Sequence, residues 1–247
     1  MTKTPSRADI AYEALRQAII EQALPPGTRL PEDVIGGQFG MSRTLARTTL
    51  ARLQAEGLIE AGRKRTATVA RPSLEEAKDD FEVRRALERE VIRLVIARWK
   101  PQFGAVLEGH VREEDHAKAR DDARVSIRLA GEFHIKLAEM SGNRLLQRYL
   151  SEVVSRCSLI LALYGRPHSS ECAVNEHREI IGALRGGDAE AAVALMDHHI
   201  GSVESRALIG ERDSAPDVGA VLSRYATNIE RAAGGTPLAP RRKAGAQ

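Results

Sequence analysis

Hydrophobic residues recur along this chain of 247 residues with the spacing of amphipathic helices, but the first part also contains short extended stretches. After residue 72 every periodic segment has the 3.6-residue spacing of a helix, and no segment favours a strand. The pattern predicts a mainly α protein. We expect a mixed N-terminal domain over 1–71, an all-α helical bundle over 72–210 and a C-terminal extension over 211–247.

The pattern of residues 7–70 favours a helix, then a helix-turn-helix pair, and a small β-wing. One apolar stripe predicts the first helix over 7–22. Pro31 suits the first turn of the second helix, Gly40 marks the turn, and Ser42 is a good N-cap for the third helix. The strands are predicted at 28–30, 58–59 and 66–69, with a turn at 62–65. This order predicts a winged helix-turn-helix domain.

The helix after Ser42 has two chemically different sides. One side is mainly aliphatic, with Leu45, Ala46, Thr49, Leu50 and Leu53. The opposite side has arginine and threonine, which suit base edges and phosphates in the major groove of DNA, although many solvent-facing helices also have arginine. The wing tip adds three adjacent basic residues. The predicted DNA contacts are Ser42, Arg43, Thr44, Arg47, Arg52, Arg63, Lys64 and Arg65.

Charge and composition agree with this division. Residues 1–72 have 11 Lys/Arg and 7 Asp/Glu, so their net charge is 11 − 7 = +4, while the whole chain is +3. The two cysteines predict neither a disulfide framework nor a CxxC site, and a reducing compartment fits them. No apolar run has the length of a membrane span, and the N-terminus has no apolar signal core. We expect a soluble, cytoplasmic protein.

The second domain is predicted to contain six helices with short connections, which is typical of a helical bundle. Ser73, with Glu76 three residues later, is expected to cap the first of them. One further short helix is predicted over 216–232, and the Gly/Pro/Ala/Arg-rich end from Gly234 is expected to be disordered. The six helices are predicted near 73–98, 102–120, 122–140, 144–164, 170–185 and 188–208.

His134, His177 and His199 lie in the apolar stripes of three different predicted helices. A single histidine on an apolar face is most often a hydrogen-bonded core residue. Three of them in one small bundle favour a shared site, since one divalent ion, with zinc as the first choice, satisfies three imidazoles at once. His198 points elsewhere. His110, His116 and His168 are expected at the surface.

Arg84 and Glu88 occupy another apolar stripe, one helical turn apart. Both side chains are therefore expected to face the bundle interior, where charges require partners. They could form an internal salt bridge, or Arg84 could hold the carboxylate of a ligand.

The chain resembles GntR-type transcription regulators of the FadR subfamily, which have a C-terminal FCD-type ligand domain. The resemblance covers nearly all of residues 8–208. In the first domain it rests on ALRQAIIEQALPPGTRLPE and FGMSRTLARTTLARLQAEGLIE. In the second it rests on EVRRALERE, EFHIKLAEMSGNRLL, EHREIIGALRGGDAEAA and ALMDHHI.

The resemblance implies roles for some of these residues. It implies DNA contacts by Arg43 and Arg47, with Ser42 and Thr44 beside them, but the wing tip lacks the family's usual glycine. The family's inward arginine matches Arg84. The family's metal site has an aspartate and a histidine one turn apart and two later histidines. The histidines match His134, His177 and His199, whereas the aspartate position is Ala130, and Glu132 lies on the opposite side of that helix.

Three functions are consistent with these sequence features. The first is a regulator that binds a pseudo-palindromic operator as a homodimer and responds to a small organic acid in the helical domain. The second is a three-histidine zinc hydrolase, which has no good general base beside the histidines and would not explain a DNA-binding domain. The third is a constitutive dimeric DNA-binding protein without an effector. We expect the first, and no enzyme activity.

Overall fold

The computed structural model describes residues 5–61, 66–164, 170–205 and 217–232. The chain divides into two compact units. The first consists of Met1–Arg71 together with Arg212–Gln247, and the second of Pro72–Glu211. The described residues are mainly helical and include one small sheet, which confirms the predicted fold class. The region beyond residue 210 is thus grouped with the first unit. The end from 233 lies outside the described residues.

The first unit contains three helices before its wing and a fourth from the far end of the chain. Helix α1 begins with a capping box in which Ser6 and Asp9 exchange hydrogen bonds. It ends two residues earlier than predicted, and Gln22 follows with a left-handed φ of 56°. The helices are α1 (Arg7–Ile20), α2 (Glu32–Phe39), α3 (Arg43–Ala55) and α10 (Val218–Ala232).

The wing is a three-stranded antiparallel sheet made of β1 (Arg29–Leu30), β2 (Ile59–Glu60) and β3 (Ala67–Val69). The order across the sheet is β1-β3-β2, so the last strand in sequence lies in the middle. Thr68 of that strand pairs with Arg29 on one side and with Glu60 on the other. The turn at 62–65, including Arg63, Lys64 and Arg65, lies outside the described residues.

The turn between α2 and α3 depends on two glycines. Gly40 ends α2 with a left-handed φ of 61°, a conformation that favours glycine. Gly36 accepts a hydrogen bond from the Met41 nitrogen at 2.8 Å. A Cβ on Gly36 would lie 2.9 Å from the Met41 carbonyl oxygen, so a side chain there would force the turn apart. Met41, directly after Gly40, is buried.

The second unit contains six described helices. Each bound lies within one residue of its prediction, except the end of α9, which was predicted at 208, outside the described residues. The core is aliphatic, with Phe81 and Phe133 among its largest fully buried side chains. The helices are α4 (Leu74–Ala97), α5 (Pro101–Ala119), α6 (Ala123–Met140), α7 (Arg144–Tyr164), α8 (Ser170–Gly186) and α9 (Ala189–Ser205).

Among the helices of the described residues, none is both long enough and apolar enough to cross a bilayer.

The start of α4 is fixed by a predicted capping box. The Ser73 hydroxyl accepts a hydrogen bond from the Glu76 nitrogen at 3.2 Å, and the Glu76 carboxylate accepts one from the Ser73 nitrogen at 2.7 Å. These two bonds satisfy donors that a helix N-terminus otherwise leaves unpaired. They also hold the pKa of Glu76 below its ordinary value.

We predict that Ser73→Ala lowers the free energy of unfolding of the second unit by about 1 kcal/mol, because the cap acceptor is lost. The measurement is chemical denaturation, with hydrogen exchange in peptides from the first turn of α4. Ser73→Asp is the control, since aspartate also caps helices and should retain the stability. Equal stability of the alanine and serine proteins would contradict a role for this cap.

Candidate DNA-binding surface and candidate metal centre

The exposed side of α3 contains the arginines and threonines that the sequence predicts there. Ala46, Thr49, Leu50 and Leu53 are buried against the rest of the unit. Leu45 was predicted on this buried side, and that prediction is wrong, since 39% of it is exposed. Its position near the start of α3 leaves it beyond the edge of the apolar stripe. The exposed side chains of the first two turns are Arg43, Thr44, Leu45, Arg47 and Thr48.

Arg47 is held by a carboxylate from the preceding helix. Its Nε donates to Oε1 of Glu32 at 2.8 Å, and its Nη2 donates to Oε2 at 2.9 Å. These hydrogen bonds are also the main reason why the pKa of Glu32 is lowered. The Arg47 side chain is nevertheless 70% exposed. Glu32 therefore occupies one edge of the guanidinium. The Nη1 group and the second hydrogen of Nη2 point away from Glu32.

Two other predicted DNA contacts have structural partners. The Ser42 hydroxyl accepts a hydrogen bond from the Leu45 nitrogen at 3.3 Å and caps α3. Arg52, at the other end of α3, donates to Asp9 at 3.1 Å and lies 4.0 Å from the ring centre of Tyr12. Arg52 is therefore tied to α1, whereas Arg43, Thr44 and Arg47 lie at the opposite end of α3.

His134, His177 and His199 come together in the core of the second unit, from α6, α8 and α9. One ring nitrogen from each lies within 4.8 Å of the others. The Nε2 atoms of His134 and His199 are 3.2 Å apart. The Nε2 of His177 is buried and has no hydrogen-bond partner among the described residues. The structure thus groups the three histidines that the sequence analysis selected.

A carboxylate lies behind each imidazole, on the Nδ1 side. Glu114 Oε2 is 2.9 Å from Nδ1 of His177, and Glu176 Oε2 is 2.6 Å from Nδ1 of His199. Glu88 Oε1 is 2.7 Å from Nδ1 of His134, although the two groups are not aligned as in a hydrogen bond. The two hydrogen-bonded carboxylates, Glu114 and Glu176, fix the ring orientation of His177 and His199 and direct Nε2 of each toward the common centre.

The sequence analysis missed Glu114 and Glu176. Glu114 lies on the buried face of α5, in step with Leu107 and Val111, so its place in an apolar stripe was a usable signal. Glu176 directly precedes His177, and nothing in its spacing indicates that it reaches the histidine of another helix. Only the packing of α8 against α9 brings it there.

The remaining histidines are divided between core and surface. His110 was predicted at the surface, and that is wrong: it is buried, with Nε2 2.8 Å from the Leu129 carbonyl oxygen and 3.4 Å from Glu114. Because these two oxygen acceptors lie near Nε2, the His110 imidazole can be buried in the core. His116 and His198 are exposed. His168 lies outside the described residues.

Arg84 and Glu88 face the bundle interior, with Nε of Arg84 3.3 Å from Oε1 of Glu88. Burial raises the pKa of Glu88 to about 7, and the Arg84 charge opposes that rise. Glu88 also faces His134, so Arg84 is connected to the histidine cluster through one carboxylate. Burial likewise raises the pKa of the neighbouring Cys157 thiol to about 11, so it is a neutral core group.

The electrostatics of the cluster keep two of its imidazoles, those of His134 and His199, neutral. Burial, and then the charge of Arg84, holds the pKa of His134 well below its ordinary value. Burial does the same for His199, against the opposing effect of Glu176. If each Nδ1–H points at its carboxylate, each Nε2 presents a lone pair to the centre. Lone pairs 3.2 Å apart repel unless a proton or a cation lies between them. The donor set therefore fits a divalent metal ion.

The fourth position of the cluster differs from the pattern that the sequence resemblance implies. Ala130, one turn before His134, has no ligand atom to offer. Glu132 is partly exposed and pairs with Arg128 at 2.6 Å, so it is directed away from the cluster. Within the described residues the cluster is thus formed by three imidazoles and no carboxylate ligand.

Comparison with known proteins places both units. The family described as bacterial regulatory proteins, gntR family, matches residues 7–69, and the FCD domain family matches residues 79–202. The HTH-type transcriptional regulator Rv0494 of Mycobacterium tuberculosis is 31% identical over 226 residues, covering 81% of this chain and 89% of that protein. YdhC of Bacillus subtilis, also an HTH-type transcriptional regulator, is 27% identical over 186 residues, covering 73% and 82%.

The fold agrees with that of solved proteins. The structure of Escherichia coli McbR/YncC superposes with a TM-score of 0.72 at 20% identity, covering 80% of this chain and 94% of that one. The sequence relatives are transcription regulators, which confirms the expectation of a regulator and not an enzyme. The chain belongs to the GntR family of bacterial transcription regulators and has, after its DNA-binding domain, an FCD domain.

Proposed function

We propose that this regulator binds a pseudo-palindromic operator as a homodimer, and that a small carboxylate metabolite bound in the second unit changes its affinity for DNA. The observation that supports the ligand-responsive part is the convergence of three buried imidazoles beside a buried arginine. Facing nitrogen lone pairs are unfavourable in a purely structural core, whereas in a ligand site they can coordinate a bound cation.

The metal is the first part of this proposal. His134, His177 and His199 would hold a divalent ion, with zinc as the first choice because imidazole nitrogen is among its preferred ligands. When bound, the ion supplies an open coordination position for an anion. Ala130 leaves that position without a protein carboxylate, and water or the effector would fill it.

The effector is the second part. Arg84 is a permanent cation in the bundle interior, and its Nε is engaged by Glu88. The same Glu88 faces His134 of the metal cluster. A carboxylate at the open metal position would be stabilised by two cations, the ion and Arg84. This arrangement favours small organic acids over neutral or cationic metabolites.

The DNA contact is the third part. We propose that Arg43 and Arg47 contact bases or phosphates in the major groove, with Ser42 and Thr44 beside them. Arg52 and the wing residues Arg63, Lys64 and Arg65 would add phosphate contacts. A homodimer would present two α3 helices to successive major grooves, which requires a pseudo-palindromic site.

We predict that Arg43→Ala and Arg47→Ala each weaken specific binding by about 1–3 kcal/mol if these arginines contact bases. The measurement is a gel shift on a duplex selected in vitro with the wild-type protein. Arg89→Ala is a matched control, because Arg89 is an exposed arginine of α4 with a carboxylate partner, Asp197. If both α3 variants retained the wild-type affinity, α3 would not be the recognition helix.

Glu32→Gln refines this test without touching a DNA contact. If Glu32 orients Arg47, its loss should weaken binding to the selected duplex while binding to unrelated duplex stays equal or increases, since a negative charge is removed. A variant that gained affinity for both duplexes would show that Glu32 only competes with DNA for Arg47.

We predict that the wild-type protein, chelated and then dialysed against Zn²⁺, retains metal, and that His177→Ala and His199→Ala do not. His116→Ala is the control, because His116 is exposed and lies outside the cluster. Ala130→Asp should tighten zinc binding, since aspartate adds a bond and a counter-charge. Metal analysis after gel filtration measures all four variants. If the wild type and the His116 variant retained no zinc, the cluster would be structural.

We predict that Arg84→Met abolishes the thermal stabilisation that small mono- and dicarboxylic acids give the zinc-loaded wild type, and leaves binding to the selected duplex intact. Arg84→Lys, which retains the charge, should retain part of the stabilisation. Calorimetry with the most stabilising acid measures the affinity directly. If the methionine variant bound this acid with the same affinity as the wild type, Arg84 would serve only as an ion-pair partner of Glu88. A wild type that responds to no acid would favour the alternative function, a constitutive dimeric DNA-binding protein.

A further inference from the structure

Helix α10 lies outside both matched family ranges, which end at residues 69 and 202. It is a separate helix with its own cap. The Asp217 side chain accepts hydrogen bonds from the Gly219 nitrogen at 2.9 Å and the Ala220 nitrogen at 3.3 Å. The Asp217 carbonyl oxygen accepts the next one, from Val221 at 3.1 Å. The helix is therefore an addition to the family's two domains that has a defined beginning.

One face of α10 is buried against α1 and α2 of the DNA-binding unit. Leu222 is fully buried, and Tyr225 and Ala226 are nearly so. The Tyr225 hydroxyl donates a hydrogen bond to the carboxylate of Glu21, the residue that ends α1. A polar bond and an apolar stripe together fix the position of α10 on this surface.

The burial pattern of α1 agrees with a surface against which a further helix packs. Half of its fourteen residues are buried, which is a wider face than a single narrow apolar stripe would give. The residues with no exposure include three alanines, whose small side chains allow another helix to approach closely. Near α2, a Cβ on Gly219 would lie 3.8 Å from Cγ1 of Val34, so the two helices meet in ordinary contact. The buried residues of α1 are Ile10, Ala11, Ala14, Leu15, Ala18, Ile19 and Ile20.

We infer that the surface of α1 and α2 is a docking site for the chain's own C-terminal helix, and that this docking gives the DNA-binding unit a second covalent connection to the FCD domain. The first connection is the peptide between Arg71 and Pro72, at the boundary between the two units. The second leads from α9, which contains His199, to α10.

A second connection limits how the two units reorient. Two domains joined by one linker are expected to move relative to each other. Between Ser205, at the end of α9, and Asp217 the chain has 11 residues. Even fully extended, such a segment spans only about 40 Å. A docked α10 therefore limits how far the two units can move apart, and a ligand-induced movement of α9 would act directly on the second connection.

The docking is tested in the full chain by Val34→Cys with Gly219→Cys under mild oxidation. The expected result is a cross-linked monomer that migrates faster in a non-reducing gel, whereas Val34→Cys alone gives none. A cross-linked dimer would mean that α10 docks on a second copy of the chain, and would overturn the assignment. The absence of any cross-link would overturn it as well.

The consequence is tested by Leu222→Asp, which places a charge on the buried face, and by Ser223→Asp, a control on the exposed face of the same helix. Leu222→Asp should increase hydrogen exchange in α10 and α1, leave α4–α9 unchanged, and retain zinc binding. The ratio of dissociation constants for the selected duplex with and without Zn²⁺ should move toward one. Ser223→Asp should behave as wild type.

The coupling part of this inference rests on the proposed ligand response, while the docking part does not. If Leu222→Asp releases α10 but the zinc-dependent ratio stays at the wild-type value, the second connection does not transmit the signal. If the wild type itself shows no zinc-dependent ratio, the coupling part fails, the proposed function is decided separately by the response to organic acids, and the cross-link still decides whether α10 docks.

Discussion

The second unit depends on one electrostatic constraint, which is that three imidazoles turn their Nε2 atoms toward the same point inside an apolar bundle. Each imidazole has a carboxylate behind it, from Glu88, Glu114 or Glu176. The two hydrogen-bonded carboxylates determine the orientation of their rings, and burial keeps His134 and His199 neutral. If an ion binds this centre as proposed, it would stabilise the folded bundle, so that stability and ligand binding would become one equilibrium.

This constraint also explains why the core tolerates so many polar groups. Arg84, Glu88, His110 and Glu114 are buried, and each lies within reach of a charged or polar partner. The network extends from α4 through the histidines to α5 and α9, so a change at its centre reaches several helices. A bundle with an aliphatic core would fold as easily, but it would contain no charged or coordinating groups to bind an ion or an acid.

The sequence predicted the helices and the three histidines because both follow from periodicity. A stripe of apolar residues defines a buried face, and a histidine within that stripe is unusual enough to be noticed. The carboxylates behind the rings were harder, since Glu176 orients a histidine of another helix and only packing brings them together. Two errors have a similar origin. Leu45 shares the aliphatic side of α3 in the sequence pattern but lies beyond the edge of the contact, and His110 is buried although its neighbours in sequence include polar residues. The position of α10 on α1 and α2 depends on a surface about 200 residues away in the chain, which periodicity does not encode.

The missing carboxylate at Ala130 changes what the centre can select. A metal site with its own aspartate has part of its charge neutralised before a ligand arrives. In the proposed site the three glutamates would neutralise charge from behind the imidazoles and would leave a coordination position of the ion without a protein carboxylate. An incoming carboxylate would then bind both an open coordination position and the field of Arg84. Loss of the aspartate should therefore weaken the hold on the metal and strengthen the dependence of anion binding on it, so that this FCD domain would report the presence of two ligands together more than of either one alone.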